Sequence, residues 1–370
     1  MTLPARLVLV LSLVLYSSAP LLAQSDDDPP PPVVDVAWSG TFDATAFAGF
    51  EPTHRVAPRG VLDLTATVDL DRLFHWRGTS LVAQYYAFGG RNGSRILGDY
   101  EGFSNIDADP FAHAGEVSLD VEWIAGRLRS RIGRLDANSD FALPVSTELF
   151  QHSSAGLSGA IFPMPTYPNP EPGIVGEYHI NGALSVTAGV FAGPEPADVG
   201  EPMLAPGRMW LVQAAAGSDS EDSRIVVGAY RHTGRFARET ETTYSGGWFV
   251  LAEHVAGRVP SGRELVASMQ ASFSQTRVAP VSQHVAVGLR LRRMTLRRER
   301  DAMGIRLSLA ELTGASRQAG APDEQVLELF HRFALTNWLA LQPDLQIIRL
   351  PAGDGRRTRT AFTMRMVVER

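Results

Sequence analysis

The sequence predicts an all-β fold, a transmembrane antiparallel β-barrel of about 16 strands with short turns at one end and long loops at the other. Three observations carry this. Hydrophobicity alternates with period two along segment after segment, giving each one an apolar and a polar face. Beyond the N-terminus no stretch offers the roughly 18 consecutive apolar residues of a spanning helix. The connections between alternating segments are short and long in turn.

The chain opens MTLPARLVLVLSLVLYSSAPLLAQ. Arg6 supplies a positive n-region, Leu7 to Tyr16 an apolar h-region, and Leu21-Leu22-Ala23 a cleavage site, so residues 1–23 read as a secretory signal peptide. Ser17, Ser18 and Pro20 cut the apolar run short of the roughly 20 residues a retained anchor needs. Residues 24–36 contain SDDDPPPP and read as an acidic, proline-rich tether. Residues 37–370 form one barrel domain, long for a single soluble core but ordinary for a membrane barrel.

Alternation places the strands. Leu62, Leu64, Ala66 and Val68 share one face against Asp63, Thr65, Thr67 and Asp69. Val285, Val287, Leu289 and Leu291 oppose His284, Ala286, Gly288, Arg290 and Arg292. Such segments fall near 37–48, 61–71, 79–88, 115–124, 127–134, 173–180, 183–192, 208–217, 224–232, 244–254, 264–275, 282–293, 301–310, 324–334, 338–349 and 360–369. Each is long enough to cross a bilayer when tilted. With the first strand running outward, Ala125-Gly126, Asn181-Gly182 and Leu335 to Asn337 are periplasmic turns. Connections near 89–114, 135–172, 193–207, 232–243, 311–323 and 350–359 are extracellular loops. A soluble β-sandwich or β-helix also alternates, but needs neither an even count nor this asymmetry.

Composition narrows function. Without cysteine there is no disulfide and no thiolate metal site. All 34 basic residues are arginine, and a chain without lysine can do neither P-loop nor Schiff-base chemistry. A formal net charge of −6 disfavours nucleic acid as a partner. The nine histidines fall in no H-E-x-x-H or ordered triad pattern, and there is no G-x-S-x-G. No catalytic residue, metal site or cofactor is expected.

If the apolar faces meet lipid, the polar faces line a lumen. Glu116, Asp120 and Glu122 lie inward on one strand, and Arg127, Arg129 and Arg131 inward on the next. A two-residue Ala125-Gly126 turn pairs Glu122 with Arg129 and Asp120 with Arg131, with same-face side chains about 6.8 Å apart. An acid ladder then faces an arginine ladder, either as pore-lining selectivity groups or as plain cross-strand ion pairs. The two longest loops carry Tyr100, Phe103, Phe111, Phe141, Phe150 and Tyr167 among amides and carboxylates, a composition that suits a saccharide site.

DLDRLFHWRG at Asp69 to Gly78, then YYAFGG, GDYEGFSNIDA, GRLDANSDFA and LFQHSSAG follow in order, and EQVLELFHRFALTNWLALQPDLQ closes the series. Together they resemble the carbohydrate-selective porin (OprB) family over about 60–370. The resemblance implies a monomeric barrel of about 16 strands, loops folded into the lumen, and passive uptake of glucose-type monosaccharides. It implies a charged constriction, carried here by Arg129, Arg131, Arg134 and Asp140, with Glu328 and Gln346 on the wall of the late hairpin. The partners it implies are a carbohydrate, outer-membrane lipid and the barrel assembly machinery. The chain departs from outer-membrane barrels in ending on Arg370 instead of an aromatic residue. Two other readings stand beside the channel: a barrel enzyme of the phospholipase or protease type, and an adhesive or structural barrel.

Overall fold

A strand that is apolar on one face and polar on the other needs a different solvent on each side, and a sheet that closes on itself provides both. The structure is a computed structural model that describes residues 32–49, 55–193, 203–205, 207–217, 223–238, 241–258, 262–274, 278–294, 300–313, 323–352 and 355–369. The signal peptide and most of the tether lie outside the described residues, as does Arg370.

The strands are β1 Val34–Ala48, β2 Arg55–Asp69, β3 Thr79–Gly90, β4 Phe111–Trp123, β5 Leu128–Leu135 and β6 Glu171–Asn181. They continue as β7 Leu184–Ala192, β8 Met203–Ala205, β9 Arg208–Gly217, β10 Ser223–Arg238, β11 Glu241–Arg258 and β12 Glu264–Ser274. The last five are β13 Val281–Arg292, β14 Ala302–Leu312, β15 Glu324–Ala334, β16 Leu339–Ala352 and β17 Gly355–Glu369. Of these, β8 is a three-residue segment paired to the far end of β10, and β7 pairs directly with β9. The other strands form a closed 16-strand antiparallel wall. Closure is made by β1, which pairs with β2 from Val34↔Val68 and with β17 from Ser39↔Glu369 to Ala48↔Thr360.

The faces fall as alternation requires. Leu64, Ile132, Ile174, Val212, Val287, Leu289, Ile305 and Phe362 point outward and are exposed, while Thr65, Gln270, His284, Arg290, Arg306 and Thr363 point inward. Aromatic side chains border this apolar wall: Phe74, Trp76, Trp123 and Trp338 towards the short turns, Trp210, Tyr244 and Trp248 towards the long loops.

Two departures concern length. The expected loops 232–243 and 350–359 are hairpins, because β10 and β11 run on to Arg238 and Glu241, and β16 and β17 to Ala352 and Gly355. Outside the bilayer a strand needs no apolar face, so these strand ends extend without the period-two pattern. β1 also begins at Val34, inside the expected tether, and its first residues pair with β2 from Val34↔Val68 to Trp38↔Leu64.

The candidate pore and its lining

The two long loops fold into the barrel. Wall carboxylates and amides hold their backbones, which satisfies groups that would otherwise be stranded. In loop 91–110, Tyr100 N and Glu101 N donate to Glu324 at 2.7 and 3.2 Å, and Gln346 Nε2 donates to Phe103 O at 2.9 Å. In loop 136–170, Ala142 N donates to Gln213 at 3.1 Å, Ser146 N to Glu253 at 2.5 Å, and both Gln151 N and His152 N to Glu328. The loops also join each other through Asn105 N→Gln151 O at 2.7 Å and Ser153 N→Gly102 O at 2.8 Å.

The loop aromatics serve this docking. Phe103 packs edge-on to Phe47 at 5.1 Å, Phe141 to Phe191 at 6.1 Å, and Phe150 to Phe330 at 4.8 Å. All three loop rings are fully buried. The slot for the last pair requires glycine at Gly304, where a Cβ would lie 2.5 Å from Phe330 and 2.8 Å from Phe150. A sugar-stacking role expected for Phe103, Phe141 and Phe150 is therefore replaced by packing of loop against wall.

The hairpin of β4 and β5 has the expected register, Glu122↔Arg129 and Asp120↔Arg131, across a turn whose Ala125 and Gly126 adopt φ of 52° and 80°. Its side chains divide into groups. Arg131 is buried and bonded by three carboxylates: Asp140 at 2.6 Å, Asp120 at 3.2 Å and Glu116 at 3.3 Å. Glu116 also accepts from Asp136 N at 2.7 Å. Asp140 belongs to the loop, so Arg131 clamps loop to wall. Arg129 stays half-exposed, bonded to Asp120 at 3.1 Å, and Glu122 is exposed. Arg127 falls in the turn, where its guanidinium bonds Ile180 O and lies over Tyr178 on the outer face. Arg134 pairs with the lipid-facing Val117 and bonds Ala114 O and Pro170 O, so it does not point into the lumen. Glu328 and Gln346 are wholly buried beneath the loops.

The open space lies elsewhere. A cavity of about 610 Å³ sits in the barrel towards the short turns, between the tips of both loops and the wall. Its charged lining is Arg290, Arg292, Arg293, Arg300, Arg332 and Arg365 with Glu148, Glu264 and Glu369. Asn105, Thr41 and Gln342 add polar groups. Arg365 is held rigidly, bonding Asp43 at 2.8 Å through Nε and at 2.9 Å through a terminal nitrogen, and Asn105 at 3.1 Å. None of the ten site residues expected from sequence lines this cavity. The signal for it was present, since alternation already puts Arg290 and Arg292 on an inward face; what it lacks is depth along the barrel.

Buried polar groups near the loops take no solute. His284 Nε2 meets Ser308 Oγ at 2.9 Å, with Glu101 at 3.4 Å from that oxygen, all fully enclosed. At the short-turn rim Ser223 Oγ meets His254 Nδ1 at 2.7 Å on the outer wall, but no third group among the described residues orients that ring. The described residues include no group of three or more side chains fit to hold a metal ion.

A closed 16-strand barrel, apolar outside and narrowed from within by its own loops, defines a porin. The family described as carbohydrate-selective porin, OprB family, matches residues 53–201 and 209–368. The chain belongs to that family and is a channel for passive diffusion of carbohydrates, with the outer-membrane residence that family and fold imply. Among solved structures it is similar to the high-pH structure of Pseudomonas putida OprB, at 17% identity and TM-score 0.77 over 91% of this chain and 94% of that one. The low-pH structure of the same protein gives 15% identity and TM-score 0.59 over 91% and 92%. A triple mutant of Rhodopseudomonas blastica porin gives 11% and 0.53 over 90% and 99%. At these identities the structures support the fold. No curated protein matches the chain.

Proposed function

We propose that this channel admits glucose-type monosaccharides, that the arginine-lined cavity is its selectivity filter, and that residues 1–23 direct its export. The observation that supports this most is the cavity itself: about 610 Å³, at the loop tips, lined by guanidinium, carboxylate, amide and hydroxyl groups together with Ile106, Leu149, Ala302 and Val367. That volume is in the range of small-molecule sites, roughly 300–1,000 Å³, and exceeds one hexose. Forked guanidinium donors suit oxygen-rich solutes, and several shared weak sites allow a solute to leave as readily as it enters.

In this reading the ladder residues act mainly through the loops. Arg131, Glu116, Asp120 and Asp140 fix loop 136–170, Glu328 and Gln346 seat both loops, and Arg129 and Glu122 contribute charge near the lumen. Arg127 and Arg134 brace the wall ends. The barrel works as a monomer, with lipid on its apolar band and insertion by the barrel assembly machinery, and catalyses no reaction. Liposome swelling tests the reading. Vesicles holding the refolded chain should swell in isosmotic glucose faster than in a disaccharide, and swelling no faster than in empty vesicles would overturn it.

A further inference from the structure

At the long-loop end the barrel carries charge on its outer face. Arg208 on β9 and Arg231 on β10 share the outward parity of Trp210, which pairs directly with Arg231. Both arginines are exposed, and both stand where the apolar outer face of their strand ends. Towards the short turns that face continues as Trp210 and Val212 on β9, and as Ala229, Val227 and Ile225 on β10. Arg208 N donates to Thr233 Oγ1 at 3.0 Å, which places Thr233 beside Arg208 and makes Arg231 its diagonal neighbour on the same face. Diagonal neighbours of an antiparallel pair lie about 7–8 Å apart.

Among the described residues neither guanidinium is paired with a carboxylate. Arg134, also outward at this end, differs in that its donors go to Ala114 O and Pro170 O. The Arg231 guanidinium lies over the Tyr244 ring, 4.5 Å from its centroid. Stacking uses the face of the guanidinium and leaves its in-plane N–H groups for another acceptor. Across from Arg231 stands Gly246, which leaves a gap in the outward row. Beneath that gap the exposed Trp248 stacks on Phe273 at 6.0 Å.

Two guanidiniums above an aromatic and aliphatic surface, at the level of the girdle, fit an amphiphile with an anionic headgroup. Phosphate is the anion that matches, because neighbouring forks can converge on one group in charge-assisted bonds. With the short turns periplasmic, this end of the barrel lies in the outer leaflet. The outer leaflet of an outer membrane is built of phosphorylated glycolipid.

We infer that Arg208 and Arg231 bind the phosphate of an outer-leaflet glycolipid, whose acyl chains lie on the wall beneath Trp210 and Trp248. The inference rests on outer-membrane residence with the long loops outermost, and is independent of what the pore admits.

The test is native mass spectrometry of the full mature chain refolded in detergent. It is titrated with bisphosphorylated lipid A, with the dephosphorylated form of that lipid, and with inorganic phosphate. The lipid A adduct should form at a concentration at least roughly tenfold below that of the dephosphorylated lipid. Arg208→Gln combined with Arg231→Gln should abolish that difference. Arg263→Gln, an equal loss of charge at an exposed site on the short-turn rim, should bind as the parent does. Heat-modifiable migration checks that each variant is folded. If the double variant does not fold, Arg208→Gln alone should weaken lipid A binding at least about threefold. Equal binding of the two lipids, an undiminished arginine variant, or a loss matched by Arg263→Gln overturns the inference. Displacement of lipid A by inorganic phosphate makes this a site for the free ion and overturns it as well. Glucose-driven liposome swelling should be unchanged in every variant, so failure here leaves the channel reading standing.

Discussion

Replacing Arg131 with alanine should unfasten loop 136–170 near Ala137 to Phe141 while leaving the barrel closed. Arg131 is 6% exposed and its three carboxylate partners 8–13% exposed, so solvent screens these contacts little. Removing the guanidinium leaves Glu116, Asp120 and Asp140 facing one another, with Arg129 reaching Asp120 at 3.1 Å and Asp140 only at 4.0 Å. Breaking a buried ion pair by deleting one partner costs about 3–5 kcal/mol. At tenfold per roughly 1.4 kcal/mol, the locally undocked loop population should rise about 10²- to 10³-fold or more. Phe141, fully buried against Phe191, then becomes accessible to chymotrypsin, and open-channel current becomes larger and noisier. Arg131→Lys should restore part of the protection, because a point charge replaces the fork. Heat-modifiable migration should persist, since the strand pairings on either side of Arg131 are backbone bonds. A variant as protease-resistant and quiet as the parent would refute the clamp and return Arg131 to a role in lining the pore.

Other outcomes follow from the same geometry. Leu289→Arg on the lipid face should impair assembly by roughly 2–4 kcal/mol at mid-bilayer, whereas Thr41→Arg in the cavity should assemble normally; gel-shift folding assays compare them. Phe150→Ala should remove the edge-on contact with Phe330, loosening the loop by about 3–5 kcal/mol and raising conductance noise. Loop 91–110 should loosen as pH rises. Burial pushes the Glu101 carboxyl from 4.5 up to about 7, against the opposing Arg306 guanidinium. A raised carboxyl pKa favours the docked loop most below about 4.5 and loses that contribution through about 7. Protease sensitivity at Tyr100 should therefore be greater at pH 8 than at pH 5, and the reverse order would contradict the assignment.

Much of the wall was legible because alternation is a local property. Segments such as 208–217, 264–275 and 324–334 fall within a residue of β9, β12 and β15. The register of the ladder hairpin follows from a turn of two residues. Strand ends were less legible, since the sequence around 238–243 and 355–360 carries no period. The interior was least so. Inward parity does not say whether a polar side chain meets water or a loop, and Glu328, Gln346 and Arg131 meet loops. Their partners are remote in sequence, as with Glu328 and Gln151, separated by 177 positions, and Gln346 and Phe103, separated by 243. The cavity lining is drawn from β1, β12, β13, β14, β15, β16 and β17 and two loop tips, a meeting that period-two patterning cannot encode.

A channel of this kind requires an open, water-filled path narrowed by the chain's own loops. Single-channel conductance of the refolded mature protein measures that path directly. Discrete openings, transiently interrupted when a monosaccharide is added to either side, are the predicted result. A protein that inserts and shows heat-modifiable migration yet passes no current would contradict it.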